Sequence, residues 1–69
     1  MPLVQISMAR GRSADQKRAM LAAVTQAVHE TTGAPVASIR VWIAEFEPSD
    51  FMAGGETLAD RRLRESGPQ

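Results

Sequence analysis

From Ser38 to Phe46 the chain is largely apolar on both sides. The run Ser38-Ile39-Arg40-Val41-Trp42-Ile43-Ala44-Glu45-Phe46 is rich in β-branched and aromatic residues and predicts a strand over 38–46. Ile39, Val41 and Ile43 share one face, and Trp42, Ala44 and Phe46 share the other. A strand apolar on both faces needs cover on both sides. The chain has only 69 residues with which to supply it.

The rest of the chain offers one long helix. Pro2-Leu3-Val4-Gln5-Ile6-Ser7-Met8 alternates, with Val4, Ile6 and Met8 on one face, and predicts a strand over 2–8. Proline is tolerated at the first position of a strand, where a missing N–H matters least. Arg10-Gly11-Arg12 reads as a turn. Ser13-Ala14-Asp15-Gln16 fits a capping box, and helical composition continues over 14–32. Met20, Val24, Ala27, Val28 and Thr31 form an apolar stripe, opposite Lys17, Arg18, Gln26 and Glu30. Gly33 ends the helix and Pro35 prevents its continuation.

Strand, helix and strand predict a single α/β (α+β) domain over 1–69, a βαβ unit with parallel strands and a right-handed crossover. Pro48-Ser49-Asp50-Phe51 reads as a turn or short 3₁₀ segment, and Gly54-Gly55 as a second turn. The charged tail within 48–69 predicts a short hairpin that then frays, with Pro68-Gln69 disordered.

One helix covers one face of a two-stranded sheet, which leaves the other for another subunit. Size points the same way. Surface scaling gives a chain of this mass about 4,200 Å² folded against roughly 10,900 Å² unfolded, so only about 61% is buried. Small chains are usually reinforced by disulfides, metals or assembly. The absence of cysteine and the single histidine argue against the first two, so a homo-oligomer is expected. Eight basic residues balance eight acidic ones, which argues against bulk nucleic-acid or anionic-membrane binding. No apolar run is long enough to span a bilayer, and the N-terminus lacks the pattern of a signal peptide, so the expected compartment is the cytoplasm.

Three features carry possible chemistry. The chain opens Met1-Pro2, a pair that methionine aminopeptidase processes to leave proline with a free secondary amine. An α-amino group titrates near about 7.7–8.0, within reach of general-base duty. Arg12 follows the turn after the first strand, and Arg40 interrupts an apolar strand, where an unpaired charge is costly. Either guanidinium suits bidentate carboxylate binding. On the residues alone the commoner role for either is an ion pair with Glu45, Glu47 or a partner subunit. Phe51 and Trp42 are candidate apolar walls. His29, near the helix C-terminus, reads as a solvated or interface residue rather than a catalytic one. Arg61-Arg62-Leu63-Arg64 reads as a solvated tail or subunit contact, because it is short and offset by acids.

Pro2, Gly11-Arg12-Ser13, Asp15-Gln16-Lys17, Gly33-Ala34-Pro35, Ser38-Ile39-Arg40-Val41, Phe51 and Gly54-Gly55 occur in an order and spacing that resembles 4-oxalocrotonate tautomerase (2-hydroxymuconate tautomerase) and its small relatives. The resemblance runs from Pro2 to about Gly55. It implies a β-α-β subunit assembled as a hexamer, a trimer of dimers, with each site shared between subunits. It implies a cofactor-independent, metal-free isomerase that converts 2-hydroxymuconate-type dienol diacids to 2-oxo-3-enoates, in the setting of aromatic catabolism. Pro2 matches the general base. Arg12 matches the residue that binds the distal carboxylate. Arg40 matches the one that engages the 2-oxo end of the dicarboxylate or 2-oxo acid and polarises it. Phe51 matches the aromatic wall.

The chain departs from the family's best-known pattern at Ser7, Trp42 and Phe46, and in the tail. Two other readings stand beside this one. A dehalogenase or hydratase of the chloroacrylate type resembles the chain, but adds a carboxylate and an arginine where this chain has Ala53 and Ala9. The third is a non-catalytic oligomeric binding module on the same fold.

Overall fold

The computed structural model describes residues 1–66. Strand β1 (Leu3–Ala9) leads into helix α1 (Ala14–Thr32), and strand β2 (Arg40–Phe46) returns parallel to β1. Two antiparallel pairs of residues, β3 (Met52–Ala53) and β4 (Glu56–Thr57), make a hairpin, and helix α2 (Leu58–Ser66) follows. Single 3₁₀ turns occupy Val36–Ser38 and Pro48–Asp50. The chain is thus α+β, with its two longer strands joined through α1.

β2 starts at Arg40 rather than Ser38. Pro35 sets an extended φ of −60° and the chain then turns over Val36–Ser38, with Ser38 N–H and Oγ both donating to the Pro35 carbonyl. Pairing is in register from Leu3↔Arg40 to Ala9↔Phe46. The ladder extends past both ends. The Arg40 N–H donates to the Pro2 carbonyl at 3.0 Å, and the Arg10 N–H donates to the Phe46 carbonyl at 2.8 Å.

The α1 boundaries have clear local causes. Ser13 Oγ accepts from the Gln16 N–H at 3.1 Å, and Gln16 Oε1 accepts from the Ser13 N–H at 3.0 Å, so both bonds of the capping box form. At the far end Gly33 takes a left-handed φ of 79° and donates to the His29 carbonyl. That conformation suits glycine because it has no Cβ to clash. His29 itself is half-buried, with Nδ1 2.7 Å from the Ala34 carbonyl oxygen. It fastens the helix end to the following turn.

The inward face of α1 differs from the stripe predicted from composition. Lys17, Met20, Leu21, Val24, Thr25, Val28 and His29 are half-buried, while Ala27 and Thr31 are exposed. The reason lies on β2. Glu45 alternates onto the helix side of the sheet with Val41 and Ile43, and Lys17 Nζ meets its Oε2 at 3.1 Å. A carboxylate on an apolar face needs a partner, and Lys17 supplies it from the inward face of α1.

The tail also differs. The short C-terminal hairpin is present, with Gly54 and Gly55 as its turn, but the expected fraying of the tail is corrected: residues 58–66 are helical. Both glycines have positive φ, 63° and 86°, as a two-residue turn of this hand requires. Thr57 Oγ1 accepts from the Asp60 N–H at 3.1 Å and caps α2. Arg61 and Glu65 pair along the helix at 3.7 Å. The expectation for Pro68-Gln69 lies outside the described residues.

Packing covers one side of the sheet only. Ile39, at 7% exposure, is the one buried apolar side chain among the described residues. Leu3 and Trp42, on the face away from α1, remain 64% and 42% exposed. The Cα radius of gyration is 15.9 Å, against about 11 Å expected for a compact domain of this length. No described helix is long and apolar enough to cross a membrane.

The capping box gives a stability test. Ser13→Ala should cost about 1 kcal/mol and Ser13→Gly only a few tenths, roughly, by denaturant unfolding at fixed protein concentration. Equal losses for the two variants would mean that the Ser13 hydroxyl does not carry the cap.

Candidate active site

The parallel register sorts the candidate residues into two groups. Pro2 and Arg40 stand together where both strands begin, tied by the Arg40 N–H to Pro2 carbonyl bond. Pro2 is half-buried and Met1 is 79% exposed. The Arg40 guanidinium folds back on its own segment. Its Nη1 donates to the Ala37 carbonyl at 2.8 Å and lies 3.4 Å from that of Ile39. These bonds to neutral carbonyls leave its charge uncompensated. Arg40 borders an open groove of about 570 Å³ between α1 and β2, with Arg18, Leu21, Gln26 and Ile39 among the other lining residues.

Arg12 and Phe51 belong to the opposite end, where the strands finish. Arg12 is exposed in the loop after β1 and lines a cavity of about 250 Å³ with Met8, Gln16, Lys17 and Met20. Among the described residues it has no hydrogen bond or ion pair. Phe51 stacks on Phe46, with ring centroids 5.0 Å apart and planes inclined by 17°. β2 has seven residues, so at about 3.3 Å each the two groups lie roughly 20 Å apart.

The ion-pair alternative for the two arginines fails within the chain. Glu47 is taken by Arg10, whose Nε lies 2.6 Å from its Oε1. Glu45 is taken by Lys17 at 3.1 Å, with Arg10 at 3.8 Å. The hydrogen bond that Arg10 donates to Glu47, aided by the charges of Glu47 and Glu45, holds the Arg10 guanidinium above its ordinary pKa. Sequence reasoning gave Arg10 to a turn and Lys17 to the outer helix face. The signal that would have found them is Glu45, a charge in phase with Val41 and Ile43. By satisfying both carboxylates, Arg10 and Lys17 leave Arg12 and Arg40 available to an anion.

Among the described residues no group of three or more His, Cys, Asp or Glu side chains is placed to hold a metal. Ala9 ends β1 and Ala53 sits in β3, so neither position supplies the charge a water-activating site would use.

The chain has clear relatives among known proteins. The profile of the family described as tautomerase enzyme matches residues 2–61. A 2-hydroxymuconate tautomerase of Pseudomonas putida is 46% identical over 55 residues, covering 80% of this chain and 87% of that one. The crystal structure of a 4-oxalocrotonate tautomerase homologue in the tomaymycin biosynthetic pathway superposes with a TM-score of 0.86 at 39% identity, covering 88% of this chain and 94% of that one. A heterohexamer 4-oxalocrotonate tautomerase from Chloroflexus aurantiacus superposes with a TM-score of 0.83 at 33% identity, covering 87% and 97%. The chain belongs to the tautomerase family, and it is an isomerase of that class.

One electrostatic feature near Phe51 is testable by pH. The hydrogen bond from Arg64 holds the Glu56 carboxyl below the usual carboxylate range, with partial desolvation opposing it and the charges of Arg64 and Arg61 assisting. Its folded pKa is therefore below the unfolded value of about 4.3. The contribution of the pair is complete above that value and is lost as pH falls through the folded pKa. Amide protection factors in β4 and α2 should fall over that acid range in the wild type, and Glu56→Gln should abolish this acid step. A wild-type profile that stays flat throughout would contradict the assignment.

Proposed function

We propose that this tautomerase converts 2-hydroxymuconate-type dienol diacids to 2-oxo-3-enoates, with Pro2 as general base once Met1 is removed. The observation that carries the reading is the pairing of Pro2 with Arg40, an arginine without an acidic partner, at the start of the two strands. Pro2 is anchored through its carbonyl, so its nitrogen is not used by the sheet.

The chemistry needs one base that takes a proton and gives it back. The Pro2 nitrogen removes the 2-hydroxyl proton of the dienol. The electron pair shifts along the conjugated chain, and the protonated proline returns the proton to a distal carbon. Charge that develops on the 2-oxygen is met by the Arg40 guanidinium, preorganised by its carbonyl contacts. Arg12 binds the far carboxylate and converts binding energy into alignment. Phe51 keeps the site apolar, which strengthens both charge contacts. Proton balance is closed, so the cycle calls for no metal or cofactor.

The roughly 20 Å between the two groups exceeds the length of a short diacid. One chain therefore cannot set Pro2, Arg40, Arg12 and Phe51 around one substrate. The reading accordingly includes assembly in which neighbouring copies supply the missing groups: a homo-oligomer, as a hexamer built from three dimers. The open sheet face with Leu3 and Trp42 supports assembly, and the Chloroflexus relative, a heterohexamer, supports the number six. A cytoplasmic location and a role in aromatic catabolism belong to the same proposal.

The site chemistry is tested by ultraviolet assay with 2-hydroxymuconate on protein whose N-terminus is verified by intact mass. Pro2→Ala should lower kcat by about 10²–10⁴-fold, the usual range for a lost general base. Material that retains Met1 should be inactive, because its proline nitrogen is an amide. Arg12→Ala should raise KM by about 10–150-fold, the equivalent of one charge-assisted hydrogen bond. Normal turnover by Pro2→Ala would sink the mechanism. Halide release from 3-chloroacrylate at a rate rivalling tautomerisation would favour the dehalogenase reading instead.

Assembly has its own test. Trp42→Asp places a charge on the open sheet face and should shift the protein towards smaller species in sedimentation, with loss of activity. Unchanged mass would remove that face from the interface.

A further inference from the structure

The fork between Arg64 and Glu56 occupies a revealing place. Arg64 Nε donates to Glu56 Oε2 at 2.9 Å, and Nη2 donates to Oε1 at 3.0 Å. Paired bonds of this kind fix orientation as well as distance. They join the last turns of α2 to β4, and Arg64 lies beyond the residues 2–61 that the family profile matches.

Phe51 is the neighbour that this fork serves. Its ring rests on Phe46, while its carbonyl accepts from the N–H of Leu58, the first residue of α2, at 2.9 Å. The residue after it, Met52, pairs with Thr57 in the hairpin, and Ala53 pairs with Glu56. The position of the Phe51 main chain therefore depends on the hairpin and on α2. Yet α2 has little apolar anchorage. Leu58 and Ala59 are half-buried, residues 60–66 are exposed, and Leu63 is 71% exposed. Helices this short are marginal without tertiary support. The fork is the strongest polar tie between α2 and the hairpin among the described residues.

We propose that Arg64 is a positioning residue for the active site: its grip on Glu56 holds α2 against the hairpin and thereby sets Phe51 as the wall of the substrate cavity. The proposal rests on the reading of Phe51 as a substrate-contacting residue. It makes the charged tail part of the catalytic apparatus without contact between Arg64 and substrate.

The test uses the processed, assembled enzyme and four variants: Arg64→Ala, Arg64→Lys, Phe51→Ala and the double variant Phe51→Ala/Arg64→Ala. Each is assayed with 2-hydroxymuconate, with amide exchange at Leu58 and the sedimentation profile followed in parallel. Arg64→Ala should lower kcat/KM about two- to fivefold, the equivalent of an exposed ion pair, and speed exchange at Leu58 without a change in assembly. Arg64→Lys keeps the charge but loses the fork, so it should recover only part of the activity. The double variant should be no worse than Phe51→Ala alone, because Arg64 acts through that ring.

Wild-type kcat/KM in Arg64→Ala, unchanged exchange at Leu58, or losses that add in the double variant would each overturn the proposal. If Phe51→Ala itself keeps full activity while Arg64→Ala still speeds exchange at Leu58, the wall reading fails, and the catalytic role of Arg64 is overturned with it. Should Arg64→Ala fail to fold, Glu56→Gln keeps the side-chain shape and weakens the fork. It should move both readouts the same way by less, and a null result there would equally overturn the proposal.

Discussion

A two-stranded parallel sheet with one helix has one face that the chain cannot cover, and the rest of this structure follows from that. Val4, Ile6, Val41 and Ile43 pack beneath α1, while Leu3 and Trp42 on the reverse stay exposed. With only Ile39 below one-tenth exposure among the described residues, the subunit has scarcely a core of its own. Hydrophobic stabilisation scales with the apolar area removed from water. In the proposed assembly, docking would remove more of that area from water and so tie folding to association.

Charge is distributed with the same economy. Of the five basic residues near the strand ends and the first turns of α1, four divide into two pairs. Two of them, Arg10 and Lys17, satisfy Glu47 and Glu45. The other two, Arg12 and Arg40, have no acidic partner among the described residues. A net charge of zero therefore coexists with local positive potential at both ends of the sheet. For an isomerase whose proposed substrate carries two carboxylates, that division matters more than the sum. The structural pairs fasten strand ends and helix, and the unpaired Arg12 and Arg40 are the proposed ligand contacts.

Much of the fold was legible because its signals are local. Alternation in β1, the two-faced apolar run of β2 and the Ser13–Gln16 pattern all lie within a few residues of the elements they create. What escaped was non-local. Lys17 turns inward only because Glu45 faces it from a strand that comes much later in the chain. Nor does the tail look helical from its own composition, since part of what holds α2 is Arg64 closing on Glu56. The candidate site was visible as a set of four residues. Its division between opposite ends of the sheet was not, because a motif read along the chain says nothing of distance across it.

The bond that closes the start of the sheet has a consequence for maturation. It runs from the Arg40 N–H to the carbonyl of Pro2, and proline has no N–H to contribute in return. Cleavage of the Met1–Pro2 peptide would therefore remove no rung from the ladder. The strand would begin on the same anchor before and after trimming, and only the nitrogen would change, from a planar amide to a pyramidal amine with a lone pair. An edge built through the oxygen of its first residue can expose a new functional group without any refolding around it.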